Sequence, residues 1–199
     1  MKTLSRLMLA AAVAVLCGVA ARAAETVGVA GTDVSYETRI ETTVGDTPAK
    51  MVLTGAALRK RVVFKVYTIG SYVEAGASVR SAGALADADV PKQLHLVMER
   101  DVDGKELAEA VESAIHKSRG DGAFAEELKA LAETMKATEL KKGDHVWLTN
   151  IPKKGLECDV AGKKRLLIEN SDFSKAIWEI YFGKKCIDDD MKKALVSRL

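Results

Sequence analysis

What this chain lacks narrows its chemistry first. It has no Gly-rich phosphate loop, no G-x-S-x-G elbow and no internal repeat. That removes P-loop nucleotide chemistry, the α/β-hydrolase nucleophile and repeat architectures. Histidine is scarce: His95, His116 and His145 are scattered, and none has a Cys, His, Asp or Glu partner at a ligand spacing such as H-x-x-x-H. They are expected on the surface or in strands, with no metal and no other cofactor. An excess of charge of one sign is missing too. The full sequence carries a formal net charge of +2, which falls to −1 once Lys2, Arg6 and Arg22 are set aside. Such balance leaves no electrostatic footprint for nucleic acid. The Lys-Lys and Lys-Arg pairs at Lys141, Lys153, Lys163 and Lys184 sit beside turns or among acids, as solvated surface does.

Those three cations belong to the first 23 residues, which have the order of a signal peptide. Lys2 and Arg6 form a basic start, Leu7 to Val19 an apolar run, and Ala21-Arg22-Ala23 a small-x-small cleavage site. The run is too short for a spanning helix. Leu16, directly before Cys17, is bulkier than a lipid-attachment site ordinarily holds. The expectation is a periplasmic or secreted protein whose single domain spans residues 24–199, with no stable membrane span. Cys158 and Cys186 remain after cleavage. An oxidising compartment permits their pairing; two buried thiols on different elements is the other reading.

The first half has strand character. Val34 to Val44 alternates loosely, Met51 to Leu53 is a short apolar strand, and Val62 to Glu74 is the longest. Both faces of that last run are apolar, so it is expected to be central and covered on both sides. On it Val62, Phe64, Val66 and Thr68 share one face, and Val63, Lys65, Tyr67 and Ile69 the other. Gln93 to Val102 makes a further strand. Helical spacing follows in Lys105 to Lys117 and Ala123 to Thr138. Strands return at His145 to Asn150, Leu156 to Val160 and Arg165 to Glu169. Two short helices close the chain; Ser171 or Asp172 can cap the first, Gly183 can stop it, and Asp188 to Asp190 suit the start of the last. Strands followed by helices predict an α+β fold with an antiparallel sheet.

Two segments carry a resemblance. Leu53 to Arg59 leads through Phe64 and Tyr67 to Gly70-Ser-Tyr-Val-Glu74, and Leu167 to Lys184 continues to Lys193 to Leu199. In that order, with Asp103 to Leu107 and Lys142-Gly143 between, they resemble the chalcone isomerase-like family. The resemblance implies an open-faced β-sandwich: a long antiparallel sheet with helices over one face and a ligand cleft between. In the family's plant enzymes an Arg polarises a ketone, helped by a hydroxyl network and a Tyr. In its fatty-acid-binding relatives an Arg and a Tyr hold an acyl carboxylate.

By that resemblance the Arg falls on Arg59. The enzymes' strand Thr falls on Tyr67, matching the lipid-binding branch. Their catalytic Tyr falls on Leu107 and their substrate-contacting Asn on Ala114, so two polar groups of the cyclisation are absent. Ser171 falls near the pocket rim. Leu and Ala cannot donate to a developing charge, whereas a carboxylate needs only the cation, a second donor and an apolar tunnel. Leu107, Val111, Ala114 and Ile115 would line such a tunnel as readily as they would fill a core. Without the resemblance, Arg59 could equally be a surface Arg and Tyr67 a core residue. No catalytic residue is assigned. A non-catalytic carrier of a fatty acid or similar small apolar carboxylate leads. An intramolecular lyase or isomerase is the alternative that a strongly shifted Tyr67 titration would favour. An envelope protein acting through protein contacts is the one that a filled pocket would favour.

One geometric condition attaches to the carrier. A straight strand from Arg59 to Tyr67 would separate their Cα atoms by about 26 Å, at roughly 3.3 Å per residue. Gripping one headgroup therefore requires a bend between Gly55 and Val63, expected at Gly55-Ala56-Ala57.

Overall fold

The computed structural model describes residues 24–199. The expected leader and Cys17 lie outside the described residues. Nine strands and five helices follow in the order β1 Thr26–Gly28, β2 Ser35–Glu37, β3 Arg39–Val44, β4 Thr47–Arg61, β5 Phe64–Glu74, α1 Ala82–Asp87, β6 Lys92–Met98, α2 Gly104–Arg119, α3 Ala125–Lys136, β7 His145–Ile151, β8 Gly155–Val160, β9 Lys164–Ile168, α4 Ser171–Phe182 and α5 Asp189–Leu195. Strands β3 to β9 form one antiparallel meander in sequence order, and β1 and β2 form a separate two-stranded sheet. The fold is α+β, an antiparallel sheet with helices packed on one face, as expected.

Strand β5 is covered on both sides. On the helix side, Ile69 and Val73 join a core with Leu94, Leu131, Ile115, Phe173 and Trp178. On the other side, Tyr72 packs with Tyr36, Met51, Leu53 and Val97, beneath the β1–β2 pair. Gly70 makes that cover possible: a Cβ there would lie 2.6 Å from the Tyr36 ring. Farther along, the outer face of β7–β9 is polar, with Arg165 and Asp159 paired across strands at 3.2 Å. The sandwich is therefore open over that end.

Several boundaries differ from the expectation. The run Val34 to Val44 divides at Thr38 into β2 and β3, which belong to different sheets. The short strand at Met51 is part of the 15-residue β4. The long run from Val62 starts as a strand only at Phe64, because Val62 has φ 57 and turns the chain. Strand β6 stops at Met98, and Val102 instead bridges Leu140. Helix α1 was not expected; its six residues are too few for a period to show. Asn170, not Ser171 or Asp172, caps α4, accepting from the Phe173 N–H at 3.0 Å. Cys158 is buried on β8 and Cys186 lies between α4 and α5; both are free thiols. Burial pushes the Cys158 thiol up to about 12, so it is inert.

Candidate functional site

The convergence of Arg59 and Tyr67 comes from a hairpin, not from a bend in one strand. Arg61 pairs with Phe64 across a turn of Val62 and Val63, and Arg59 pairs with Tyr67. Directly opposed residues share a face, with Cβ atoms about 5 Å apart. The expected bend at Gly55-Ala56-Ala57 is replaced by a register shift between Leu53 and Gly55. Gly55 serves packing there: a Cβ would meet the Ala194 carbonyl oxygen at 2.1 Å. That close approach lets α5 lie against β4, and Thr54 donates its hydroxyl to the Leu195 carbonyl at 2.8 Å.

A second register shift falls between Arg59 and Lys60, leaving Val66 as the extra residue of β5. A bulge of this kind re-aims a side chain. Simple alternation put Val66 on the face of Thr68; in the structure Val66 lines the same cleft as Tyr67. That cleft has a volume of about 590 Å³ and lies between β4–β5 and helices α2 and α4. Its size suits a small apolar ligand.

Of the two readings open for them, Leu107, Val111 and Ala114 of α2 line the cleft, with Ala110 between them. They recur on one face because three or four residues make a turn. Ile115 is fully buried in the core instead. Ser171 is not brought to the site. It is exposed at the first turn of α4, about 15 Å along the helix axis from Tyr181 at 1.5 Å per residue. Its expected place at the rim is corrected accordingly.

Two residues at the centre were missed. Tyr181 of α4 places its hydroxyl 3.2 Å from that of Tyr67, and both are buried. Tyr181 falls at helical spacing with Phe173, Ile177 and Trp178; the sequence carries no sign of its partner. Burial raises both phenols above their ordinary range, Tyr181 most, while the nearby Arg59 charge pulls each back. Both therefore keep their protons at neutral pH. Two hydroxyls sharing one hydrogen bond use one of their two protons between them. Among the described residues no protein acceptor takes the other.

Asp188 is the second. It precedes α5, accepts from the Asp190 and Met191 N–H groups, and also reaches Arg59 at 3.5 Å. The ion pair is half-exposed, with 27% and 36% of the two side-chain surfaces open. At that length and exposure it is weak. Glu106, which also lines the cleft, is bridged by Arg61 at 3.3 Å and by Arg100 at 3.0 Å, in pairs at least as exposed.

The assembled site is a cleft between a sheet and its helices, part apolar (Val66, Leu107, Val111, Ala114, Ile180) and part charged (Arg61, Glu106, Glu109, Lys117), with the Arg59 guanidinium and a spare phenolic proton in it. The comparisons with known proteins agree with this architecture. Residues 29–197 match the family described as chalcone isomerase-like. The chain belongs to that family. The crystal structure of a fatty-acid binding protein from Arabidopsis thaliana superposes with a TM-score of 0.65 at 18% sequence identity, covering 86% of this chain and 96% of that one. No curated protein matches the sequence.

Proposed function

We propose that this protein is an exported, non-catalytic binder of a fatty acid or similar apolar carboxylate. One observation carries the reading: the Tyr67–Tyr181 pair has a proton to give, and it lies beside Arg59 in a cleft with an apolar stripe along it. A carboxylate accepts from both groups at once, and charge-assisted bonds of this kind are the strong ones. The acyl chain then runs along Leu107, Val111 and Ala114. Asp188 holds Arg59 loosely while the cleft is empty, and the ligand carboxylate takes its place. The structural similarity to a fatty-acid binding protein supports the same choice. The cleft is not filled by side chains, which removes the sign expected of a protein acting through contacts alone.

The upward displacement of Tyr67 is also the feature named for an isomerase. Its direction makes the phenol a donor and not a base. Leu107 and Ala114 line the cleft where the resemblance puts the enzymes' Tyr and Asn, so those two polar groups of the cyclisation are absent. Export rests on the sequence pattern of residues 1–23, and the first residue of the exported protein, Ala24 or Met1, decides it.

Calorimetry with palmitate and with the matching alcohol tests the binding site. Arg59→Ala is expected to weaken palmitate binding by about 1.5–3 kcal/mol, and alcohol binding much less. Equal losses for the two ligands, or no binding of either by the parent protein, would overturn the assignment.

A further inference from the structure

The turn that brings Arg59 to Tyr67 has an outer end that the cleft does not use. Val62, Val63 and Phe64 are 90%, 76% and 67% exposed. They are the most exposed large apolar side chains among the described residues; Leu199 at 42% and Leu167 at 36% come next. A scattered exposed apolar residue is ordinary, but three consecutive ones at a hairpin tip form a patch. The turn chemistry is unusual as well. Val62 sits at φ 57, where glycine or asparagine is the ordinary occupant and a β-branched side chain is an outlier. The valine gains no packing in exchange. Its place is not explained by the stability of the turn.

Charge surrounds the patch on both strands. Residues 59–65 contain Arg59, Lys60, Arg61 and Lys65 and no acid. Arg59 meets Asp188, and Arg61 meets Glu106. Lys65 donates to the Gly31 carbonyl, a neutral acceptor, so its charge stays uncompensated. Lys60 has no ion-pair partner among the described residues, and Lys60 to Lys65 are all exposed. An apolar tip collared by cations fits a surface with an apolar interior and anionic groups above it.

We propose that the β4–β5 hairpin docks this protein on an anionic lipid surface. Val62, Val63 and Phe64 enter the acyl boundary, while Lys60, Arg61 and Lys65 meet the headgroup phosphates. A protein partner suits the tip less well. Three side chains at a hairpin tip offer far less than the roughly 800 Å² per partner of a stable interface. Docking in this pose brings the cleft to the interface, because Arg59, Arg61, Val66 and Tyr67 at the base of the same hairpin line it. A fatty acid could then pass between bilayer and cleft without crossing water. That consequence rests on the carboxylate-carrier reading; the docking itself does not.

The test uses the mature chain with phosphatidylcholine vesicles, with and without phosphatidylglycerol, in sedimentation. Binding is expected to the anionic vesicles, to fall with added salt, and to weaken about tenfold or more in the Val63→Asp, Phe64→Asp double variant. The variant should keep the parent's melting temperature and its palmitate affinity, since neither residue lines the cleft. In Phe64→Trp, quenching by brominated lipid should exceed that of the parent, which has only Trp147 and Trp178. Equal vesicle binding by parent and double variant would overturn the proposal. So would a tip that dimerises the protein without binding lipid, seen as mass that falls in the variant. Vesicle binding without palmitate binding would leave the docking and remove the carrier; palmitate binding without vesicle binding would do the reverse.

Discussion

Strand β5 carries two buried tyrosines on opposite faces, and their hydroxyls have different fates. Tyr72, 1% exposed, donates to the Glu37 carbonyl at 3.0 Å. Tyr67, 5% exposed, meets another hydroxyl that also carries a proton. Burial raises both phenols. Neither burial nor pKa therefore separates a structural tyrosine from a candidate binding one. The difference is the balance of donors and acceptors around each. On the outer face the Tyr36 and Thr68 hydroxyls also share one bond, at 2.8 Å, but that pair lies beneath the β1–β2 cover and not at the cleft. The cleft face keeps a donor in reserve beside a cation.

The largest effect should come from breaking the outer face. Tyr36→Ala empties the site over Gly70 and strands the Thr68 hydroxyl. It should cost about 3–5 kcal/mol of stability and leave palmitate affinity at its parent value. Urea unfolding and calorimetry on the same sample check this. A loss under about 1 kcal/mol, or an affinity that falls with stability, would show that the two faces are not separate.

Acid should also strike the outer face first. The His95 ring stacks on Trp147 at 3.6 Å and meets His145 at 2.7 Å. Burial, and then the His145 charge, hold its pKa down to about 3 from the ordinary 6.5. The folded state thus binds fewer protons than the unfolded chain between those values. The contribution is fully present above about 6.5 and is lost as pH falls toward about 3. His95→Phe should flatten the fall in melting temperature across that window. An unchanged slope would show that His95 is not the group responsible.

The smallest effect sharpens the cleft. Asn caps a helix about as well as Asp, so Asp188→Asn should keep the start of α5 and release Arg59. Palmitate should then bind a few-fold tighter, within about 1 kcal/mol, the scale of a half-exposed pair. Weaker binding would mean that Asp188 positions Arg59 for the ligand instead of competing with it.

Much of this was legible beforehand because period and punctuation are local properties. The stripe Leu107, Val111 and Ala114 needs only helical spacing, and it does face the cleft. The resemblance supplied Arg59 and Tyr67. The bend proposed at Gly55 was mistaken because Val62 and Val63 look like strand interior. Nothing in a valine pair announces a turn, which is why residue spacing shortens β4 to Met51–Leu53 and starts β5 at Val62. Ser171 was misplaced because nearness to a helix start says nothing of which end meets the cleft.

By itself the sequence determined the α+β class and the strand-then-helix order, since these follow from period and turn punctuation along the chain; it left Leu107, Val111 and Ala114 open between cleft lining and core. The tertiary structure alone decided that Tyr67 meets Tyr181 and that Arg59 meets Asp188, contacts spanning 114 and 129 residues of chain. It also decided that Val66 turns into the cleft and that an apolar, cation-collared tip is left in solvent. A hydroxyl's partner and a side chain's exposure depend on what the rest of the chain brings near, and no local pattern encodes that.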